Sequence, residues 1–226
     1  MSGRLRSAVG RALRRRLVPE PDPVLPPFPS EGVLGRGCML ACYRDEDAPA
    51  RLELEHSEGM LMWRSAFADP MMTPEQALSW CRSQQAQARS GRLPASYAIL
   101  SRGNHAPPVY AGDITVRQAV GGFAAVEVSI ALLPRMRGRQ LAIPASYAVL
   151  HWLTAVEGLH RIEVAHSVKN RVVCVLADTV GLPREGTKRQ AFPVKNANGD
   201  IEWHDACSHA GLTAELRRSL PAAVTD

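Results

Sequence analysis

Residues 124–142, AAVEVSIALLPRMRGRQLA, concentrate the residue types that could do chemistry. An apolar run rich in β-branched residues (Val126, Val128, Ile130, Leu132) stops at Pro134. A basic turn follows, Arg135-Met136-Arg137-Gly138-Arg139-Gln140, and then a helix-forming stretch, 141–158. Strand, basic turn and helix make an anion site: the helix N-terminus leaves backbone N–H groups unpaired and its dipole favours negative charge. The arginines add formal charge where a phosphate would sit. Glu127 opens the strand and shares a face with Ser129, because side chains alternate along a strand.

The elements around this stretch follow from local pattern. Cys38–Tyr43 reads as a first strand, and Arg44-Asp45-Glu46-Asp47 opens a helix with acids in its first turn. Residues 60–63 belong to an ill-defined helical or loop zone. Thr73-Pro74-Glu75-Gln76 is a helix start, with Thr73 as N-cap, Pro74 first in the helix and Gln76 closing a capping box; that helix is expected to run to Ser90 and stop at Gly91. Tyr97–Ser101, Val109–Val116 and Ala124–Leu133 form an antiparallel meander with turns at 104–108 and 121–122. A helix over 141–157, a strand over Arg161–Ala165 and a helix over Val172–Val180 come next, then late strands at 192–194 and Ile201–Cys207. The folded domain is expected over 33–212, preceded by a basic arm and Pro-rich linker (1–32) and followed by a tail (213–226) with a helical turn.

The chain has 226 residues and a net charge of +5. Residues 1–17 hold six arginines and no acid, so the remainder carries a charge of about −1. Nucleic-acid binding is therefore expected at most through the arm, where Leu5, Val9, Leu13 and Leu17 recur at spacing four. Six prolines between 19 and 32 make the linker stiff and extended. No apolar run reaches the ~18 residues of a membrane span, and the arm lacks the apolar core of a secretory signal, so a cytoplasmic protein is expected.

Five cysteines (38, 42, 81, 174, 207) at scattered spacing, with no C-x-x-C, read as reduced thiols. His204, Cys207 and His209 match no usual zinc spacing, and on a strand His204 and Cys207 point to opposite faces, so no metal is expected.

Taken in order, several pieces resemble the GNAT acetyltransferases, in particular the RimJ/RimL-type branch that acetylates N-termini of ribosomal proteins. They are Glu127–Pro134, Arg137-Gly138-Arg139-Gln140-Leu141-Ala142, Arg161-Ile162-Glu163-Val164 ahead of Asn170, Gly181-Leu182, Glu185-Gly186-Thr187-Lys188-Arg189, and Gly199-Asp200-Ile201-Glu202-Trp203-His204-Asp205. The resemblance spans about 36–210. It implies an α/β (α+β) fold with a mixed, mostly antiparallel twisted sheet of about seven strands flanked by helices. It also implies acetyl-CoA as co-substrate. Carried over, Ile130, Leu132 and Leu133 lie beside pantetheine through main-chain groups, and Arg135, Arg137, Gly138, Arg139, Gln140, Leu141 and Ala142 lie at the pyrophosphate. Asn170 contacts the cofactor near its thioester, and Glu163, like Glu127, is a candidate base.

The sequence departs from that pattern. Gln140 replaces a glycine, so the anion site is expected to survive only if position 140 has an ordinary helical φ; Pro144 lies inside the helix and is expected to distort its first turn. Val173 and Ala177 stand where relatives place a serine and a tyrosine acid. The leading reading is an N-acetyltransferase, an acyltransferase of the transferase class, acting as monomer or homodimer on a primary amine, first of all a protein N-terminus. The alternatives are an aminoglycoside or polyamine acetyltransferase, and a non-catalytic acyl-CoA-binding module docked by the basic arm.

Overall fold

The computed structural model describes residues 25–103, 107–120 and 124–224. The basic arm and the tips of the two turns expected at 104–108 and 121–122 lie outside the described residues. The elements are β1 (Val33–Gly35), β2 (Cys38–Ala41), a 3₁₀ turn (Asp45–Asp47), α1 (Ala48–Glu55), α2 (Glu58–Trp63), α3 (Pro74–Ser90), β3 (Ala95–Ser101), β4 (Val109–Gln118) and β5 (Ala125–Leu132). A second 3₁₀ turn (Pro134–Met136) leads to α4 (Ala142–Thr154), β6 (Arg161–Ser167), α5 (Arg171–Thr179), β7 (Arg184–Lys195), β8 (Ile201–Leu212) and α6 (Thr213–Ser219).

Eight strands form one sheet in the order β1-β2-β3-β4-β5-β6-β8-β7, one more than the expected seven or so. All pairs are antiparallel except β5 with β6, as a crossover through α4 requires. β3, β4 and β5 are the expected meander. The decisive irregularity is in the parallel pair. β5 and β6 are in register only from Ala125 opposite Arg161 to Glu127 opposite Glu163. Beyond that rung β6 stays with β8 as far as Ser167, while β5 stays with β4 as far as Leu132. The strands part, and the sheet opens into a V.

The two faces of the sheet differ in chemistry. One carries Tyr97, Ile114, Val116, Val126 and Ile162, all buried, and is covered by α4, whose Trp152 meets Tyr97 edge-on with ring centroids 5.2 Å apart. The other carries Asp113, Thr115, Arg117, Glu127 and Ser129, and is approached by α1 and α3, with Arg51 of α1 reaching Asp113. At the start of α3, Gln76 Oε1 accepts the Thr73 N–H at 2.9 Å, as the capping-box spacing implies. Gly91 ends it with φ +69°.

The body starts before Val33, the boundary that the proline count suggested. Leu25 and Phe28 are buried, Phe28 stacks on Tyr97 at 4.3 Å, and its N–H donates to the Ala88 carbonyl at 2.9 Å. Prolines stiffen this segment, but its two large apolar side chains have a core to enter, and burial decides. At the other end α6 is also packed, with Leu216 buried and Arg217 donating to the Thr154 carbonyl.

Candidate active site: the opening between β5 and β6

A cavity of about 410 Å³ fills the V. Its walls are Ser129, Ile130 and Ala131 of β5; Val164 to Ser167 of β6; Asn170, Val173 and Ala177 at α5; and Arg51, Asp113, Thr115 and Arg117 beneath. Leu133 gives its N–H to the Ala111 carbonyl on β4 at 2.9 Å. By alternation, Ile130 and Leu132 direct their amide groups the other way, into the gap. Both leave an N–H facing the gap, while the Leu132 carbonyl accepts from Arg137 Nε at 3.3 Å. Leu133 faces away from the gap: its N–H is used by Ala111 and its carbonyl accepts the Met136 N–H at 2.9 Å.

The basic turn closes one end of the V. Gly138 has φ +73° and Gln140 φ +57°, so position 140 is left-handed and lacks the ordinary helical φ on which the sequence made the anion site depend. The turn needs that conformation to bring the chain from the 3₁₀ turn into α4, and Gln140 adopts it without glycine's freedom. The expected distortion at Pro144 is absent. α4 begins at Ala142 with Leu141 at its N-cap, which places Pro144 in the first turn, where a backbone N–H has no intrahelical partner. Ala145 makes the first helical bond, to the Leu141 carbonyl at 3.0 Å. The N–H groups of Ala142 and Ile143 therefore sit at a helix start without helical acceptors, the donor set for an anion.

Each of the three arginines has its own acceptor. Arg135 is ion-paired with Glu53. Arg137 Nε donates to the Leu132 carbonyl at 3.3 Å, and Arg139 Nε donates to the Arg135 carbonyl at 3.1 Å. Asn170 is at the N-cap of α5 and on the cavity wall.

Neither candidate carboxylate lines the cavity. Glu127 is bound by Arg117 (2.5 Å), and Glu163 by Arg161 (2.6 Å). The structure instead brings together three residues that the sequence reading left unconnected. The Ser167 hydroxyl lies 2.8 Å from His204 Nδ1, and His204 Nε2 lies 2.9 Å from Glu202 Oε1, which Lys169 Nζ also meets at 2.5 Å. A carboxylate only accepts, so His204 Nε2 carries the proton, Nδ1 accepts, and the Ser167 hydroxyl donates to it. The pull of Lys169 and His204 holds the Glu202 carboxyl below its ordinary range. Ser167 is buried on the wall of the first cavity. His204 and Glu202 line a second, open groove of about 760 Å³, which shares Trp63 to Ser65 and Ala68 with the first. The only signal in the sequence was the even spacing of Glu202 and His204 on a strand; their meeting with Ser167 depends on the β6–β8 pairing.

The sheet that opens between β5 and β6, with a basic turn and a helix start at its mouth, is matched at the level of sequence. A family model described as an acetyltransferase (GNAT) domain covers residues 39–182. The chain belongs to the GNAT acetyltransferase family. Solved GNAT structures share the fold. Mycobacterium smegmatis RimJ in complex with CoA-disulfide is 23% identical, with 82% of this chain and 85% of that chain covered at a TM-score of 0.63. The ribosomal-protein-S5-alanine acetyltransferase from Vibrio fischeri is 15% identical, with 82% and 98% covered at a TM-score of 0.66. Spermidine N-acetyltransferase from Vibrio cholerae, in complex with CoA and spermine, is 14% identical, with 80% and 98% covered at 0.64. Among curated proteins none matches the chain. Among the described residues of this GNAT domain, no helix is long and apolar enough to cross a membrane.

Arg51 lies at the cavity floor between two carboxylates. It is ion-paired with Asp113 (3.2 Å) and Glu55 (2.8 Å) and lies 4.4 Å from the Trp80 ring centroid. The Tyr43 and Tyr110 hydroxyls donate to Asp113 at 2.8 and 3.3 Å, and burial beside that carboxylate pushes both phenols well above their usual range. Arg51 Nη1 is buried without a hydrogen-bond partner.

Three further side chains gather around His166 of the β6 wall. The metal-ligating atoms of His166, Cys174, Cys207 and His209 all lie within 4.8 Å of one another. The sequence reading grouped Cys207 and His209 with His204. Strand alternation sends His204 to the face of Ser167 and leaves His166 with Cys207 and His209, to which α5 adds Cys174.

Proposed function

We propose that this chain is an acetyl-CoA-dependent N-acetyltransferase whose leading acceptor is a protein N-terminus. The observation that carries the reading is the V between β5 and β6, with the gap-facing amides of Ile130 and Leu132 at one wall and the bare first turn of α4 at its mouth. That donor set fits a molecule with an extended amide arm and a pyrophosphate. Acetyl-CoA supplies the acyl group as a thioester. Gap-facing N–H groups of β5 donate to the oxygen on which charge develops, and Arg137 and Arg139 screen the phosphates at the turn. Asn170 orients the ligand near the reacting end.

The proton path assigned to this chain runs from the incoming ammonium to Ser167 Oγ, while the Ser167 hydroxyl proton passes to His204 Nδ1; Glu202 holds the imidazole in the required tautomer. The amine enters along the groove that His204 lines and reaches the thioester at Ser167. Glu127 and Glu163, the carboxylates expected to act as base, are each engaged by an arginine, Glu127 by Arg117 across β4 and β5 and Glu163 by Arg161 within β6.

The preference for a peptide over a polyamine does not rest on charge, because Arg51, Arg64 and Arg117 on the cavity wall are paired with Asp113, Glu55 and Glu127. A peptide offers carbonyl oxygens to the unpartnered Arg51 Nη1. Its α-amine also releases a proton more readily, near pH ~8 against ~10 for an alkylamine.

A second reading rests on Val173 and Ala177, which line the cavity and offer no acid to the leaving thiolate. It makes the chain an acyl-CoA-binding module without turnover. Calorimetry with acetyl-CoA, followed by thiol release with peptides of varied N-termini, spermidine and an aminoglycoside, separates the readings. Turnover with peptides supports the first. Tight binding with no turnover on any amine supports the second, and no binding removes both.

A further inference from the structure

We propose that His166, Cys174, Cys207 and His209 form a tetrahedral zinc site that pins α5 to β6 and β8. The positions follow from the fold. Pairing of β6 with β8 sets His166 opposite Cys207 and Val164 opposite His209, and alternation puts Cys207 and His209 on one face. α5 lies over that face and lowers Cys174 onto it.

The geometry is that of a four-ligand shell. Cys174 Sγ is 3.7 Å from Cys207 Sγ and 3.3 Å from His209 Nε2. Zinc bonds of ~2.3 Å to sulfur and ~2.05 Å to nitrogen, spread tetrahedrally, put two sulfurs about 3.8 Å apart and a sulfur and a nitrogen about 3.6 Å apart. The two imidazoles are already oriented. His166 Nδ1 meets the Ser167 carbonyl at 2.8 Å, and His209 Nδ1 meets the Leu182 carbonyl at 3.0 Å. A carbonyl only accepts, so both Nδ1 atoms carry protons and both Nε2 atoms present lone pairs to the cluster. Such an outer partner on the second nitrogen is usual for metal-bound histidine.

One atom is left unexplained without a metal. His166 Nε2 is buried and has no hydrogen-bond partner, in a side chain only 5% exposed. An unmet acceptor in the interior has lost the water it would bind in solution and gained nothing in return. A Cys174–Cys207 disulfide would leave that nitrogen, and His209 Nε2, with nothing to bind. A metal satisfies all four atoms. Two sulfurs and two imidazoles in a closed tetrahedron select zinc, with no position open for a substrate, so the site is structural. On binding, the two thiols give up their protons and the two neutral imidazoles none, so one Zn²⁺ replaces two H⁺. The consequence reaches the cavity, because the same helix carries Val173 and Ala177 on its wall.

The test is metal content and cobalt spectroscopy on the full chain purified under reducing conditions. One zinc per chain that survives dialysis against EDTA is expected. Cobalt in its place should give the intense visible bands of a tetrahedral ion together with thiolate charge-transfer bands. Cys174→Ser, at a half-exposed helix position, and His166→Gln should each lower zinc content at least tenfold with the circular dichroism of a folded chain retained. Cys42→Ser should keep the full equivalent. A folded parent protein that neither contains zinc nor takes up added zinc or cobalt overturns the proposal. So does a Cys174→Ser variant that holds as much zinc as the parent, or a Cys174–Cys207 disulfide found under the reducing conditions.

Discussion

Glu127 and Glu163 face each other across the last paired rung of β5 and β6, each carboxylate tied to an arginine of its own side. One step further the strands part and the cavity begins. Two like charges at a hinge of the sheet stay there because Arg117 and Arg161 neutralise them from outside. This placement separates them from Ser167, which lies on the cavity wall. Glu127→Gln and Glu163→Gln should therefore lower kcat/KM for the best peptide by less than about tenfold, while Ser167→Ala and His204→Gln lower kcat by about 10²–10⁴, the usual worth of a positioned proton acceptor. Steady-state thiol release checks both. A drop of that size in Glu163→Gln with His204→Gln unaffected would return the base to Glu163.

Gln140 sits at φ +57°, a conformation that costs an L-residue about 1–2 kcal/mol. Gln140→Gly removes the cost and gives back about 0.4–1 kcal/mol of it as extra freedom of the unfolded chain. The net expectation is a gain of up to about 1 kcal/mol in urea unfolding, with acetyl-CoA affinity equal or higher. Gln140→Val, β-branched at the same φ, should lose both stability and affinity. Equal stability of the three proteins would show that the left-handed turn does not form in solution.

What was legible in the sequence was local. The capping box at Thr73–Gln76, the strand that ends at Pro134 and the Gly181 stop, at φ +88°, are settled within a few residues of themselves. β7 was read only at 192–194 because its solvent-facing half, Arg184–Gln190, is charged as an edge strand should be and shows no apolar alternation. β1 was missed because three residues carry too little pattern. Neither the Ser167–His204–Glu202 chain nor the His/Cys cluster could be read from spacing. Both depend on which residue of β6 stands opposite which residue of β8, and a shift of one position would exchange the two groups between faces. The parting of β5 from β6 is equally invisible, since the apolar run of β5 continues through it.

Phe28 is expected to matter as much as a residue in the middle of the sheet. Its ring stacks on Tyr97 and meets Trp152 edge-on at 5.0 Å, so it joins the N-terminal segment to β3 and α4 at once. Phe28→Ala should cost about 3–5 kcal/mol in chemical denaturation. A chain started at Val33 should lose at least as much. A cost under 1 kcal/mol would place the segment outside the cooperative unit.

Arg161 grips Glu163 on its own strand and, through two bonds, Glu185 on β7, reaching across β8 to do so. The hydrogen bonds from Arg161 hold the Glu185 carboxyl below its ordinary range. A depressed carboxylate contributes stability that is complete above the unfolded value, about 4.3 for glutamate, and is lost as the pH falls through the lower folded value. Glu185 is exposed and Arg161 partly so, and solvent screening limits the contribution to about 0.3–1 kcal/mol. Glu185→Gln should therefore destabilise the protein by that amount at neutral pH and low salt. The difference should shrink as the pH drops below the unfolded value, and shrink again at neutral pH in ~1 M salt, where the screening length is about 3 Å. Urea unfolding of both proteins across that pH range gives the comparison. A difference that persists in acid would assign the loss to packing of Glu185 on β7 rather than to its charge.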